Sequence, residues 1–283
     1  MESRREGSIR KQIELTRGTR WEIINDGVIF TEPANVDQVA RVAKLAAELM
    51  LKNGAETYRA EETARHICRT FGYDSDVIAF PTGIMFQIGP NKAMIARVSK
   101  RDVDFLKIDR VNEISRELSA GTVALAEAEA RLHEIAARRG WGLFWQSLIA
   151  AGSSAMFALM FLGSAFEIAA AGACAFVAQA AVVKLDQEAG MSLVSLAGGF
   201  LTAASAILLT VFFRIGDVDK IIISALMPLL PGLAMTNAIR DAMRGDLVSG
   251  VSRAGEALIR AVVLAAGAGL SISVWMVLGG GAR

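Results

Sequence analysis

Residues 142–163, GLFWQSLIAAGSSAMFALMFLG, run without a single charged side chain. A helix needs roughly 20 apolar residues to cross about 30 Å of hydrocarbon, so this stretch restricts the chain to folds that meet lipid. Trp141 and Trp145 stand at its start, where aromatic rings favour the membrane interface. Four more stretches follow, at about 168–183, 192–213, 221–240 and 259–280. The second is short and rich in small side chains, which let helix backbones approach closely. The pattern predicts a mainly α membrane protein with five transmembrane helices, preceded by a small α+β cytosolic domain.

Charge draws the boundary between the two parts. Residues 1–140 hold 22 of the 30 Lys/Arg and 21 of the 29 Asp/Glu. The predicted division is an N-terminal extension over 1–35, a cytosolic domain over 36–140 and a membrane domain over 141–283. Both parts are close to neutral, which argues against a nucleic-acid partner, since that needs a basic face. The N-terminal 20 residues carry charge with no apolar core behind it, so neither a signal peptide nor a first span is expected there. Cys68 and Cys174 lie in different parts and suggest no disulfide framework, in keeping with a reducing compartment.

Lysine and arginine near the span ends set the expected orientation. One side collects Arg131, Arg138, Arg139, Lys184, Arg240, Arg244 and Arg253, and the other Arg214, Lys220 and Arg283. This predicts a cytoplasmic N-terminus and a C-terminus on the far side.

In the first part, residues 36–53 place Val39, Val42, Leu45, Ala46 and Leu49 on one helical face, with Gly54 as the stop. A second helix is predicted from about Glu56 to Phe71. Residues 77–100 then read as a β-hairpin around the turn signal GPNK. Helices over about 103–118 and 122–138 follow, the last expected to continue toward the first span.

The fourth apolar stretch is interrupted. In MPLLPGLAMTNAIRD, residues 227–241, Pro228 and Pro231 each remove a backbone donor and clash with the preceding turn. From residue 221 to Pro231 is about 15 Å of helix, half a bilayer. A break at that depth either serves packing or lines a cavity, and in transporters the half-helix start faces anionic substrate groups. Pro231 suits the first position of a second half-helix, and amides beside Gly232 suit a carboxylate. Asn237, Arg240, Asp241 and Arg244 share a helical face. Asn237 and Asp241 are candidates for the pathway, and Arg240 with Asp241 for a gate. Arg244, Asp246 and Arg253 read as an interfacial cap. Glu167, Asp217 and Asp219 read as solvated helix ends, with proton coupling as the alternative.

Glu56, Arg59 and Glu62 share one face of the second helix, either meeting the membrane domain or forming local ion pairs. His66 and Cys68 fall on different sides of that helix, so no metal ligand set is predicted. No Gly-Lys-Ser/Thr phosphate loop is present, so neither ATP nor another cofactor is expected.

Three segments resemble the threonine/serine exporter family, a bacterial group that includes two-component succinate exporters. They are NGAETYRAEETARHIC at 53–68, AFPTGIMF at 79–86 with DRVNEIS at 109–115, and the order Met-Pro-x-x-Pro-Gly, Asn-Ala-Ile-Arg-Asp, Gly-Asp, Ser-Gly-x-x-Arg from residue 227. The resemblance implies a subunit of a secondary exporter in a bacterial cytoplasmic (inner) membrane. Its substrate is then a small carboxylate-bearing metabolite, an amino acid or a dicarboxylate. Fused members carry about twice the spans, so this chain looks like the cytosolic-domain-bearing half of a split exporter. A small second membrane subunit, or a homo-oligomer, is the implied partner beside membrane lipid. The competing expectation is a membrane-anchored hydrolase with its chemistry in the cytosolic domain.

Overall fold

A computed structural model describes residues 21–24, 27–30, 35–89, 92–99, 101–186 and 190–280. The chain forms two compact units. One comprises residues 1–139 together with 237–252, and the other comprises 140–236 together with 253–283.

The first unit has two short paired strands, β1 (Trp21–Ile24) and β2 (Gly27–Phe30), ahead of α1 (Val36–Lys52) and α2 (Thr57–Thr70). The Asn35 side chain caps α1 by accepting from the Asp37 amide at 2.9 Å. Gly54, at φ +90°, turns the chain between the helices, a left-handed conformation costly for other residues. Three antiparallel strands follow in sequence order: β3 (Ser75–Phe80), β4 (Gly83–Ile88) and β5 (Lys92–Arg97). The expected hairpin is therefore a three-stranded meander. The apolar run 77–88 contains an additional reversal at Pro81–Thr82, because proline cannot supply the amide that an uninterrupted central strand requires.

Along β4 the side chains alternate, with Ile84, Phe86 and Ile88 inward and Met85 and Gln87 outward. The inner face packs on α1 and α2, which pack in turn on α3 (Phe105–Ala120) and α4 (Leu125–Ala137), in a core that includes Val42, Met50, Ile67 and Leu132. Each such side chain contributes roughly 1.5–3 kcal/mol by leaving water. The β3 edge is tied to α2: Glu61 accepts from the Ala79 amide at 2.9 Å, and Arg65 donates to the Val77 carbonyl at 3.1 Å.

Helix α4 does not run on toward the first span. It ends at Ala137, and Arg138 and Gly142 have extended backbone. The two glycines at 140 and 142 make a helix there expensive.

The second unit holds α5 (Leu143–Met160), α6 (Ala165–Leu185), α7 (Met191–Phe213) and α8 (Val218–Leu226), the last followed by a 3-10 turn (Met227–Leu229). Two further helices pass through both units: α9 (Gly232–Met243) and α10 (Leu247–Trp275), which ends in a π turn (Met276–Gly280). Among the described residues, α5, α6, α7 and the stretch Leu247–Leu278 are long and apolar enough to cross a membrane. The pair Val218–Leu229 and Gly232–Met243, bent by 54°, adds a fifth crossing if it forms one span. Only 22–33% of each single-helix window is buried within the chain, so most of this apolar surface faces outward, as in a protein solvated by lipid. The protein is a mainly α membrane protein.

Small residues set the packing of this unit. A Cβ on Gly199 would lie 2.0 Å from the Leu264 carbonyl oxygen, and one on Gly267 would lie 2.1 Å from that of Leu196. Helices α7 and α10 therefore cross backbone to backbone, a contact only glycine permits. Between α5 and α6, Ser154 donates to the Ala171 carbonyl at 3.0 Å.

The helix that carries the last apolar stretch begins well before it. The interval between α9 and α10 is only residues 244–246, so Arg253 and Glu256 stand on a helix instead of in a loop.

Candidate functional site

The two proline positions behave differently. Met227, before Pro228, keeps helical backbone (φ −53°, ψ −44°), so Pro228 enters the 3-10 turn. Leu230, before Pro231, is extended (φ −69°, ψ 140°), the conformation that a following proline favours, and the helix stops. The Gly232 amide donates to the Leu230 carbonyl at 2.8 Å, and the Met235 amide to that of Pro231 at 3.1 Å. Pro231 thus opens α9, with Gly232 exposed beside it.

Five residues beyond Gly232, α9 enters the first unit and meets the turn between α1 and α2. Asn237, only 3% exposed, donates from Nδ2 to the Gly54 carbonyl at 2.9 Å. Arg240 donates from Nη1 to Oε1 of Glu56, and Arg59 reaches Oε2 of the same carboxylate at 3.4 Å. The Glu56 side chain is 6% exposed, whereas that of Arg240 is 50% exposed. Burial by itself raises the Glu56 carboxyl. Its own backbone amide, the hydrogen bond from Arg240 and the charges of Arg59 and Arg240 outweigh that effect and hold it below the usual carboxylate range. Asp241, next to Arg240, is fully buried.

The clasp continues one turn on. The Arg244 guanidinium lies 4.2 Å from the centroid of the Tyr58 ring, a cation–π contact. Thr57 donates to Oδ2 of Asp246 at 2.7 Å, while Oδ1 of Asp246 accepts from the Ser249 amide at 3.2 Å and caps α10. Gly245, at φ +88°, makes the reversal. A Cβ on Gly250 would lie 2.9 Å from the Ala238 carbonyl, so this glycine lets α10 close against α9.

The residues singled out in the sequence thus divide. Glu56, Arg59, Asn237 and Arg240 come together, whereas Pro231 and Gly232 stand at the start of α9. Glu62 is exposed, and its neighbour Glu61 makes the contacts, to Arg65 and Ala79. Arg244 and Asp246, expected in an interfacial cap, are partners of Tyr58 and Thr57. The missed residues are Gly54, Thr57 and Tyr58, and the available signal was complementary charge at Glu56 and Arg240 across 184 positions.

Two other polar groups bear on alternative chemistry. His66 Nε2 lies 2.6 Å from the Ser119 hydroxyl, the spacing of a base and nucleophile. Ser119 also donates to the Ser115 carbonyl at 2.9 Å, which uses its one proton and leaves His66 as the donor. Both residues are exposed, and the pair clasps α2 to α3. Glu167 accepts from the Ser164 amide at 2.6 Å and the Asp217 amide at 2.7 Å, joining two interhelical turns of the second unit. Among the described residues, no cluster of three His, Cys, Asp or Glu side chains is arranged for a metal.

A small α+β unit joined in one chain to apolar membrane-crossing helices defines the class, an integral membrane protein with an N-terminal domain. The sequence model of the threonine/serine exporter family, ThrE, matches residues 41–275, and the chain belongs to that family. The chain is similar to the threonine/serine exporter of Corynebacterium glutamicum, at 24% identity over 266 residues. That match covers 85% of this chain and 53% of the relative, so the chain spans about half the relative's length. No solved structure matches the chain.

Proposed function

We propose that the chain is a subunit of a secondary exporter in a bacterial cytoplasmic membrane, moving threonine, serine or another small carboxylate-bearing metabolite such as a dicarboxylate. The observation that supports this best is the pairing of half-exposed Arg240, on a helix that follows a break, with the buried Glu56 carboxylate, in a chain of the threonine/serine exporter family. A substrate carboxylate has the chemistry of the Glu56 side chain and competes with it for the same guanidinium. Pro231 and Gly232 interrupt the span and expose backbone to the pathway, and Asn237 and Asp241 add its polar face. Glu56 and Arg59 hold the mouth on the cytoplasmic side. The C-terminus then lies on the far side. The exporter works with a small membrane partner or with further copies of this chain, and the proton gradient supplies the energy.

The test is flux of labelled threonine, serine and succinate in vesicles containing this chain, alone and with a candidate partner. Flux of one of these, reduced at least about tenfold by Arg240→Gln with the protein still inserted, is expected. Undiminished flux in Arg240→Gln removes Arg240 from the pathway. Absence of flux under every condition, with a hydrolytic activity in the full chain, would overturn the exporter reading.

A further inference from the structure

We propose that the groove between the end of α5 and the start of α8 binds an anionic phospholipid of the surrounding bilayer, with the phosphate at Lys220 and an acyl chain along the apolar wall. The groove lies wholly within the second unit. Met160, Phe161, Leu162, Lys220 and Ile223 line it, and it holds about 350 Å³, toward the lower end of the range for small-molecule sites.

Depth gives the groove the polarity of a phospholipid. Helix α5 has 18 residues, which is about 27 Å at 1.5 Å per residue, close to one hydrocarbon thickness. Trp141 and Trp145 mark one membrane interface at its start, so Met160 and Leu162 stand at the other. The Glu167 carboxylate accepts from the Ser164 and Asp217 amides and thereby sets the turn before α6 and the turn before α8 at the same level. Lys220 is in the first turn of α8, and Ile223 lies about one turn further in, toward the bilayer centre. The cation therefore sits at head-group level and the apolar wall below it.

Charge selects the occupant. Lys220 feels the charge of Glu167, but both Glu167 oxygens are already taken by amides, and among the described residues Lys220 makes no ion pair. An apolar helix of another protein packed here would bury this ammonium without a counter-charge. A phosphodiester brings the counter-charge with it, and a head group without its own ammonium adds no like charge beside the lysine.

The backbone of Leu162 points the same way. Its φ is +56°, and only one other non-glycine residue among those described has a positive φ. Helix α5 closes with the Gly163 amide donating to the Ala158 carbonyl at 2.9 Å and the Leu162 amide to that of Leu159 at 3.1 Å. The left-handed position in such a closure usually belongs to glycine, because a Cβ is crowded there. Leu162 is 87% exposed, so packing within the chain does not offset its strain. Strain of this kind is found at ligand clamps, and an acyl chain in the groove covers the side chain that the strained backbone presents. The proposal is independent of which substrate moves.

The experiment is native mass spectrometry of the full chain released from nanodiscs of equal parts phosphatidylglycerol and phosphatidylcholine. Phosphatidylglycerol should be retained in preference, Lys220→Gln should lower its retention about fivefold, and Lys220→Arg should preserve it. Leu162→Gly removes the strain and part of the apolar wall together. Its thermal midpoint should match or exceed that of the parent chain, while retention of phosphatidylglycerol falls at least about threefold. Equal retention of the two lipids by the parent chain overturns the proposal, as does undiminished retention in Lys220→Gln. Displacement of phosphatidylglycerol by inorganic phosphate makes the groove a phosphate site and overturns the lipid. Full retention in Leu162→Gly, or a midpoint that falls along with retention, gives the leucine a role in the fold alone and overturns the assignment.

Discussion

Consider removing the charge of Arg240 by substitution with glutamine. The Glu56 carboxylate is 6% exposed and loses the closer of its two cationic partners, keeping Arg59 at 3.4 Å and its own amide. Breaking a fully buried pair costs about 3–5 kcal/mol. Arg240 is half in solvent, where ion pairs are worth under about 1 kcal/mol, so the expected loss is intermediate, about 1–2 kcal/mol. The assay is a double-mutant cycle of Glu56→Gln and Arg240→Gln on the full chain in detergent, followed by thermal unfolding. The double variant should recover about 1 kcal/mol relative to the sum of the singles, because removing both charges leaves no stranded carboxylate. The pH dependence has a definite sign. The Glu56 carboxyl lies below its ordinary value of 4.5 in the folded chain, so the unfolded chain binds more protons between the two values. The clasp contribution is complete above about pH 4.5 and disappears as pH falls through the folded value. Arg240→Gln should flatten that acid limb. A coupling within about 0.3 kcal/mol of zero, with an unchanged acid limb, would refute the reasoning.

Four further outcomes follow from close packing and burial. Gly250→Ala should destabilise the turn between α9 and α10 by about 1–3 kcal/mol, because the added methyl meets the Ala238 carbonyl and Ala242; faster tryptic cleavage after Arg244 is the readout. By contrast, Gly255→Ala on the same helix meets nothing within 4 Å and should stabilise by roughly 0.5–1 kcal/mol, which thermal unfolding can check. Gly199→Ala places a methyl 2.0 Å from the Leu264 carbonyl and should prevent α7 and α10 from closing, read as loss of monodisperse protein on extraction. Finally, Cys68 should resist iodoacetamide at pH 8 in the folded chain and react on unfolding, since burial pushes its thiol up to about 11.

Hydropathy and local chemistry carried much of this protein in the sequence. The membrane-crossing helices were legible because an apolar run near 20 residues has few other uses. Helices α1 and α2 were legible through their periodicity and the stops at Gly54 and Gly72, both of which have positive φ. Within residues 77–88 the reversal at Pro81–Thr82 was hidden, because apolar residues flank it and the downstream GPNK is the louder turn signal. The break at Pro231 was visible too, since a missing amide is a property of the residue itself.

What only the tertiary structure decided was how the motifs meet. The segments around Glu56 and Arg240 stand 184 residues apart, and nothing in either one names its partner. Each has its own local reading, as an exposed charged row or an interfacial cap, and such charges are satisfied equally well by water or by neighbouring side chains. Folding sets the Gly54 carbonyl against Asn237, the Glu56 carboxylate against Arg240 and the Tyr58 ring against Arg244. Periodicity registers which side of a helix is apolar, but the identity of a long-range polar partner depends on where the intervening elements bring the backbone.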